Sequence, residues 1–352
     1  MRSRRAAAAL KTQSAAAPLI STSADWKPLG PVPLASDASG VGTQDYGPVS
    51  GRATSIAVDS ADSTGNTVFI GGAYGGVWKS DNAGANPASI TWSPVIDDQA
   101  SLAVGAIAIQ PGNTNPANSV VLVGTGEANS SGDSYYGVGI LRSADGGNTW
   151  NLIQAADGGT HPFLGLGFTK IAFNSTSNPN LVVAASAASS VGVVDGALAN
   201  NMRGLYTSTD GGLTWSFDSL SVTPLASATS VVFNAATGFF YAAIRYHGFY
   251  YSPDGLNWLR LQNQPGTNLS AAACPSTLTN PPSCPMYRGE FAVVPGRNEM
   301  YVWYVDVNEK DQGIWQSKNG GNTWTQISDS AITNCGDPGS NGCGTQQGAY
   351  NL

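Results

Sequence analysis

Ser143-Ala144-Asp145-Gly146-Gly147-Asn148-Thr149-Trp150 decides the fold, because the chain keeps returning to it. Ser208-Thr209-Asp210-Gly211-Gly212-Leu213-Thr214-Trp215 is a second copy. Ser317-Lys318-Asn319-Gly320-Gly321-Asn322-Thr323-Trp324 is another, with Asn in place of Asp. Ser252-Pro253-Asp254-Gly255-Leu256-Asn257-Trp258 is one residue shorter. Ser80-Asp81-Asn82-Ala83-Gly84 reaches its own Thr91-Trp92 only after an insertion. The motif serine recurs at spacings of 44 to 65 residues. An internal repeat of this size decides an architecture before any single residue does.

Each copy follows a short, bulky segment with the residue types of a strand: 76–80, 139–143, 204–208, 248–252 and 313–317. A further strand is expected upstream each time, at 67–71, 119–124, 181–185, 239–244 and 299–304. Upstream again lies an inner strand, at 54–58, 106–109, 170–173, 230–233 and 290–294. The motif Trp opens a fourth. Four short strands per repeat predict an all-β protein, a β-propeller of four-stranded antiparallel blades with five blades visible. The motif sits at the turn between third and fourth strands. Its Ser and Asp can hydrogen-bond turn backbone, its glycines permit positive φ, and its Trp is expected to fill the blade core. Ser143, Asp145, Trp150, Ser208, Asp210, Trp215, Ser252, Asp254, Trp258, Ser317, Asn319 and Trp324 are therefore read as structural.

Composition agrees. The 352 residues include 43 glycines, against 16 basic and 23 acidic side chains. Tight turns explain the glycine, while Ser, Thr and Asn replace charge on the surface. The net charge is −7, and no basic cluster follows residue 5. A nucleic-acid partner needs a basic stripe, so none is expected. No apolar run reaches the ~20 residues of a membrane span. No cofactor or metal motif is present, and the oligomeric state is open. Residues 1–25 read as an Ala-rich leader, disordered or helical, or a signal sequence interrupted by Lys11 and Gln13; residues 26–352 are the propeller. Cys274 with Cys284, and Cys335 with Cys343, lie in Pro/Gly/Ser-rich loops and are expected to form two local disulfides, which points to a secreted, cell-surface or periplasmic location.

The repeated motif resembles the Asp box, or bacterial neuraminidase repeat, of sialidases, xyloglucanase-type glycoside hydrolases and the sortilin ectodomain. The resemblance covers residues 26–352 and implies the fold, since unrelated activities share the repeat. Asp25-Trp26-Lys27-Pro28-Leu29 is similar to the fourth strand after Thr91 and would complete a last blade. Residues 347–352 read as another inner strand. A ring of six to eight blades is expected, seven favoured, with this chain a piece of it; five closed blades is the alternative.

Two activities of the resembling families are not matched. No sialidase Phe-Arg-Ile-Pro element is present, and Arg52, Arg245 and Arg288 lie in no matching motif. Xyloglucanase-type enzymes carry a catalytic Asp before Ile-Gly-Gly-Ala-Tyr; here Ile70-Gly71-Gly72-Ala73-Tyr74 is kept, but Phe69 precedes it.

Loops joining strands two to three and four to one share the face away from the motif turns. The long ones span 127–137, 186–203, 151–169 and 260–288. Arg52, Lys170, Arg288 and Glu290 begin inner strands there, and Glu127, Asp133, Tyr135, Tyr136, His161 and Tyr287 lie nearby. Arg52, Asp133, Tyr135, Tyr136, Lys170, Tyr287 and Arg288 are the candidate ligand-binding residues. Ion pairing between blades is the competing reading of Arg52 and Glu290. The leading expectation is a propeller that binds a glycan or protein ligand without chemistry. The alternatives are a glycoside hydrolase using Glu127 and Glu290, with Asp133 and Asp306 as further carboxylates, and a structural spacer.

Overall fold

The computed structural model describes residues 51–129, 134–188, 202–218, 220, 225–277, 283–306 and 310–328. Near the start, two short strands, β1 (Leu34–Ala35) and β2 (Pro48–Val49), pair with each other. The segments 1–25, 26–29 and 347–352, Asp133 and the Cys335/Cys343 pair lie outside the described residues.

The described residues form five four-stranded antiparallel sheets, each a simple meander. The first is β3 (Ala53–Val58), β4 (Val68–Gly72), β5 (Val77–Ser80) and β6 (Ser93–Pro94). The second is β7 (Val104–Ile109), β8 (Val121–Thr125), β9 (Ile140–Ser143) and β10 (Asn151–Ile153). Between second and third, a small hairpin of β11 (Ala155–Ala156) and β12 (His161–Pro162) occupies a stretch expected to be loop. The third sheet is β13 (Leu166–Phe173), β14 (Val182–Ala188), β15 (Gly204–Ser208) and β16 (Ser216–Asp218). The fourth is β17 (Ala228–Asn234), β18 (Phe239–Ile244), β19 (Gly248–Ser252) and β20 (Leu259–Arg260). The fifth is β21 (Arg288–Val293), β22 (Met300–Val305), β23 (Asp311–Ser317) and β24 (Thr325–Gln326).

The inner strands β3, β7, β13, β17 and β21 pack one against the next in chain order, which is the blade arrangement of a β-propeller. Four hydrophobic clusters lie between consecutive sheets. Between the first two sheets, Phe69 and Val77 meet Val104 and Val123. Between the second and third, Leu122 and Ile140 meet Phe168 and Tyr206. Hydroxyls add a second tie. The first four inner strands each shift register at one residue, and three of those residues are threonines. Thr54 Oγ1 donates to the Val104 carbonyl at 2.6 Å, Thr169 Oγ1 to Ala228 at 2.9 Å and Thr229 Oγ1 to Gly289 at 2.8 Å. Each reaches the following sheet.

The repeated turn works as its residues suggest. Asp145 Oδ1 accepts from the Asn148 and Thr149 N–H groups at 3.0 and 2.9 Å, and Oδ2 accepts from Thr149 Oγ1 at 2.6 Å. Ser143 Oγ donates to Asp145 at 2.7 Å and accepts from Gly147 N at 2.8 Å. Ser208 and Asp210 repeat this network. Asn319 keeps the backbone half of it without charge. Asn82 holds Thr91 N at 2.9 Å across the insertion. Burial works to raise the Asp145 carboxyl, but the hydrogen bonds from Thr149, Ser143 and Asn148 outweigh it and bring the group down to about 2. Asp254, bonded by Asn257, Leu256 and Ser252, also falls to about 2 despite its burial.

The tryptophan expectation needs correction. Only Trp215 is fully buried, at 3 % exposure. Trp150, Trp258 and Trp324 are half-buried and pack on the edge of the cluster shared with the preceding sheet. Trp215 belongs to the corresponding cluster. The Trp therefore seals the seam between two sheets rather than filling one. An indole at a turn is too large for the interior of a single sheet layer and reaches the gap beside it.

Candidate functional site

Antiparallel meanders put the motif turns at one end of every sheet and the two-to-three and four-to-one connections at the other. The inner strands begin at this second end, so their first side chains converge. Arg52, Lys170, Arg288 and Glu290, with Glu127 and Asn129 from the connection after β8, line a pocket of about 280 Å³. Its floor includes Thr54, Gly105, Phe168 and Thr169.

Charges in this pocket come in groups. Arg52 Nη2 stands 3.0 Å from Glu127 Oε2. That N–H is not aligned on the oxygen, so the attraction is Coulombic. Glu290 sits between Arg288 Nη2, at 3.4 Å, and Lys170 Nζ, at 3.8 Å. Arg288 Nη1 also donates to Asn129 Oδ1 at 3.1 Å, tying the fifth sheet to the second across the pocket. Glu127 is 1 % exposed, and its Oε1 accepts no hydrogen bond. A buried carboxylate oxygen without a donor is costly, on the order of 1–3 kcal/mol.

The ion-pair reading of Arg52 and Glu290 is partly met. Arg52–Glu127 does join neighbouring sheets, whereas Lys170–Glu290 skips the fourth sheet altogether.

A second depression of about 440 Å³ lies beside the first, lined by Tyr74, Leu102, Tyr135, Tyr136 and Val138. Tyr74 and Tyr135 meet edge to face with centroids 4.9 Å apart. The Tyr135 carbonyl accepts from Glu127 N at 2.8 Å, so one short connection serves both depressions.

Other expected residues go elsewhere. Tyr287 does not line either depression; its ring lies 4.1 Å under the Arg245 guanidinium, and its carbonyl accepts from Arg245 Nε at 3.0 Å. Arg52, Arg245 and Arg288 therefore form no triad. His161 is held by Asp157 at 2.8 Å and stacks on Phe217. Asp306 accepts from Lys310 N at 3.0 Å and lines neither depression. Phe69 is wholly buried between the first two sheets, so a hydrocarbon occupies the position before Ile70. Cys274 and Cys284 form a disulfide that packs among Leu269, Met286 and Phe249. Beneath it, His247 is fully buried with Nδ1 2.6 Å from the Pro275 carbonyl, and burial lowers its pKa.

Sequence reasoning missed Asn129 and Tyr74. Tyr74 was visible as the end of Ile70–Tyr74, but nothing in the residue order shows that it would meet Tyr135.

No family model matches the chain, and no curated protein matches it. Solved structures do. An ancestral GH74 enzyme superposes with a TM-score of 0.53 at 20% identity, over 87% of this chain and 33% of its own. The GH74 xyloglucanase of Xanthomonas campestris gives 0.42 at 12% identity, over 80% of this chain and 46% of its own. YCF48 from Cyanidioschyzon merolae gives 0.40 at 12%, over 80% of this chain and 86% of its own. The first likeness supports the propeller fold and goes no further; the other two are too distant to carry an argument. The chain spans about a third of the ancestral enzyme's length and under half of the xyloglucanase's.

Proposed function

We propose that this chain is part of a secreted or cell-surface propeller of the Asp-box type, and that the pocket at the inner-strand starts binds a glycan without transforming it. The observation that carries the reading is Glu127: a buried carboxylate whose Oε1 lacks a donor, in a pocket that also holds Arg52, Lys170 and Arg288. Such a pocket asks its ligand for a donor and an acceptor together. A vicinal diol supplies both, because each hydroxyl donates one hydrogen bond and accepts others. A phosphate or carboxylate ligand would only accept, leaving Glu127 Oε1 unanswered and adding repulsion. The tyrosines of the adjacent depression offer faces on which the apolar side of a sugar ring can lie. The Cys274–Cys284 bridge suits an oxidising compartment. Among the described residues, no helix is long and apolar enough to cross a membrane.

Calorimetry of the full-length protein against a panel of neutral and acidic oligosaccharides tests this. Neutral sugars should bind, with Glu127→Gln and Arg288→Ala each weakening affinity by about tenfold or more, as for lost charge-assisted hydrogen bonds. Unchanged affinity in both variants would remove the pocket from consideration. Release of reducing ends would replace the binding reading by a glycoside hydrolase one centred on Glu127 and Glu290. Absence of any binding would leave the spacer.

A further inference from the structure

Arg203 and Arg245 stand at the same end of the sheets as the pocket but line neither depression. The repeat supplies the control that shows both are additions to the fold. The residue after a sheet's second strand donates its N–H to the residue before the inner strand: Ala73 to Arg52, Gly126 to Ala103 and Arg245 to Ser227. Two of these three donors are Ala and Gly, so the backbone bond asks for no long side chain. The residue before the glycine that opens the third-strand segment is Arg203 in the third sheet and Gly75, Val138, His247 or Gln312 in the others. None of those four carries a fixed charge.

Both guanidiniums are held at Nε by a backbone carbonyl. Arg245 Nε donates to Tyr287 at 3.0 Å, and Arg203 Nε donates to Leu225 at 2.7 Å. The Tyr287 ring, 4.1 Å away, lies against the Arg245 guanidinium. Tyr246 stands beside that ring, edge to face, with centroids 5.9 Å apart. It does so from φ +64°, a left-handed conformation that a bulky side chain seldom adopts. Arg245 is therefore fixed and half-buried, yet its two Nη nitrogens donate to nothing among the described residues. No ion pair among the described residues includes it. Beside it, the Ser227 hydroxyl is buried and has no partner.

The two cations also feel each other. Burial lowers the Arg203 pKa, and the charge of Arg245 lowers it further, against the opposing pull of Tyr246. Like charges on half-buried ground disfavour the empty site, and a bound anion removes that repulsion.

We propose that Arg245, backed by the charge of Arg203, is a second ligand site on this face, taking an oxyanion (the carboxylate or sulfate group of an acidic ligand) on its Nη1–Nη2 edge. Two coplanar N–H groups match two oxygens of one such group, which a halide or a lone hydroxyl cannot do. The site stands apart from Glu127 and does not rest on what the pocket binds. It gives this face one place for a neutral diol and another for negative charge.

Arginine modification of the unaltered full-length protein reads the site without a variant. Phenylglyoxal labelling of Arg245, located by peptide mass, is compared with that of Arg297, whose side chain is 71 % exposed. Inorganic sulfate, acetate or a uronic-acid trisaccharide should slow labelling at Arg245 and not at Arg297. Protection by the free ions marks a site for the oxyanion alone; protection by the trisaccharide only means the sugar ring is read as well. Equal rates with and without all three probes overturn the proposal. In calorimetry, Arg245→Gln should weaken the uronic-acid trisaccharide by about tenfold or more, with its neutral counterpart unaffected. Arg245→Lys, which keeps the charge and loses the fork, should recover only part of the loss. Equal weakening of both sugars would make Arg245 a support of the pocket and would overturn the proposal. Glu127→Gln should leave sulfate protection at Arg245 in place, so failure of the pocket reading and failure of this one are separable.

Discussion

The two ends of the sheets use the same polar residue types to opposite purposes. At the turn end, Asp145 and Asp210 receive backbone and hydroxyl donors, and each motif serine both donates and accepts. At the pocket end, Glu127 is more deeply buried than either aspartate, yet neither of its oxygens accepts a hydrogen bond. A satisfied carboxylate stabilises the loop around it, whereas an unsatisfied one is tolerated only where something else offsets it. The contrast separates the residues that hold this fold from those that give it a use.

The contrast can be broken most severely at the turn. Gly212 has φ +84°, and a Cβ there would lie 2.8 Å from Leu122. Gly212→Val should cost about 3 kcal/mol or more, from backbone strain and overpacking, in a urea melt. Removing the carboxylate is milder. Asp145→Ala should cost about 1–2 kcal/mol, the scale of a lost capping group, with sugar affinity unchanged. If affinity fell too, the two ends would not be independent.

Acid sharpens the comparison further. Asp145 and Asp254 sit at about 2 in the fold, and Asp210 is lowered as well. An unfolded Asp titrates at about 3.9. The folded value is the lower one, so these carboxylates stabilise the protein fully above pH ~4 and lose that contribution as pH falls through ~2. Denaturation midpoints should decline over that window, and Asp145→Asn should flatten the decline. Asn319→Asp is the gentlest change, expected to add a few tenths of a kcal/mol at pH 7 through charge-assisted bonds to Thr323 and to lose them in acid. At the pocket end, Lys170→Met should shift stability by less than ~1 kcal/mol, since Lys170 is half exposed.

Much of this fold was legible because the repeat is local. Ser143 to Trp150 specify their turn with hydrogen bonds spanning four residues at most, so the motif carries its own explanation. Strand positions followed from it: 239–244 is the observed β18, while 170–173 found only the second half of β13. The start of β13 was missed because its residues Leu166 and Phe168 face the second sheet, a contact no local pattern announces. The pocket was legible in part. Arg52, Lys170, Arg288 and Glu290 were placed together because strand starts must converge. Tyr287 looked equivalent by adjacency, but alternation along an extended chain turns it away from Arg288, toward Arg245. The role of the tryptophans depended on how far a large ring reaches past its own sheet, which spacing alone does not give.

Because each hydrophobic cluster is shared by two sheets, no sheet owns a core. Cooperativity must therefore pass along the row by nearest-neighbour coupling, as in a one-dimensional chain of spins. A defect at Tyr206 loosens the seam between the second and third sheets, and one at Phe240 the seam between the third and fourth, so each severs one coupling and should uncouple the sheets on either side of it. Hydrogen exchange should thus register a lost cluster first in the two sheets that share it, and the motif tryptophans of the second to fifth sheets would each report the melting of the seam before them.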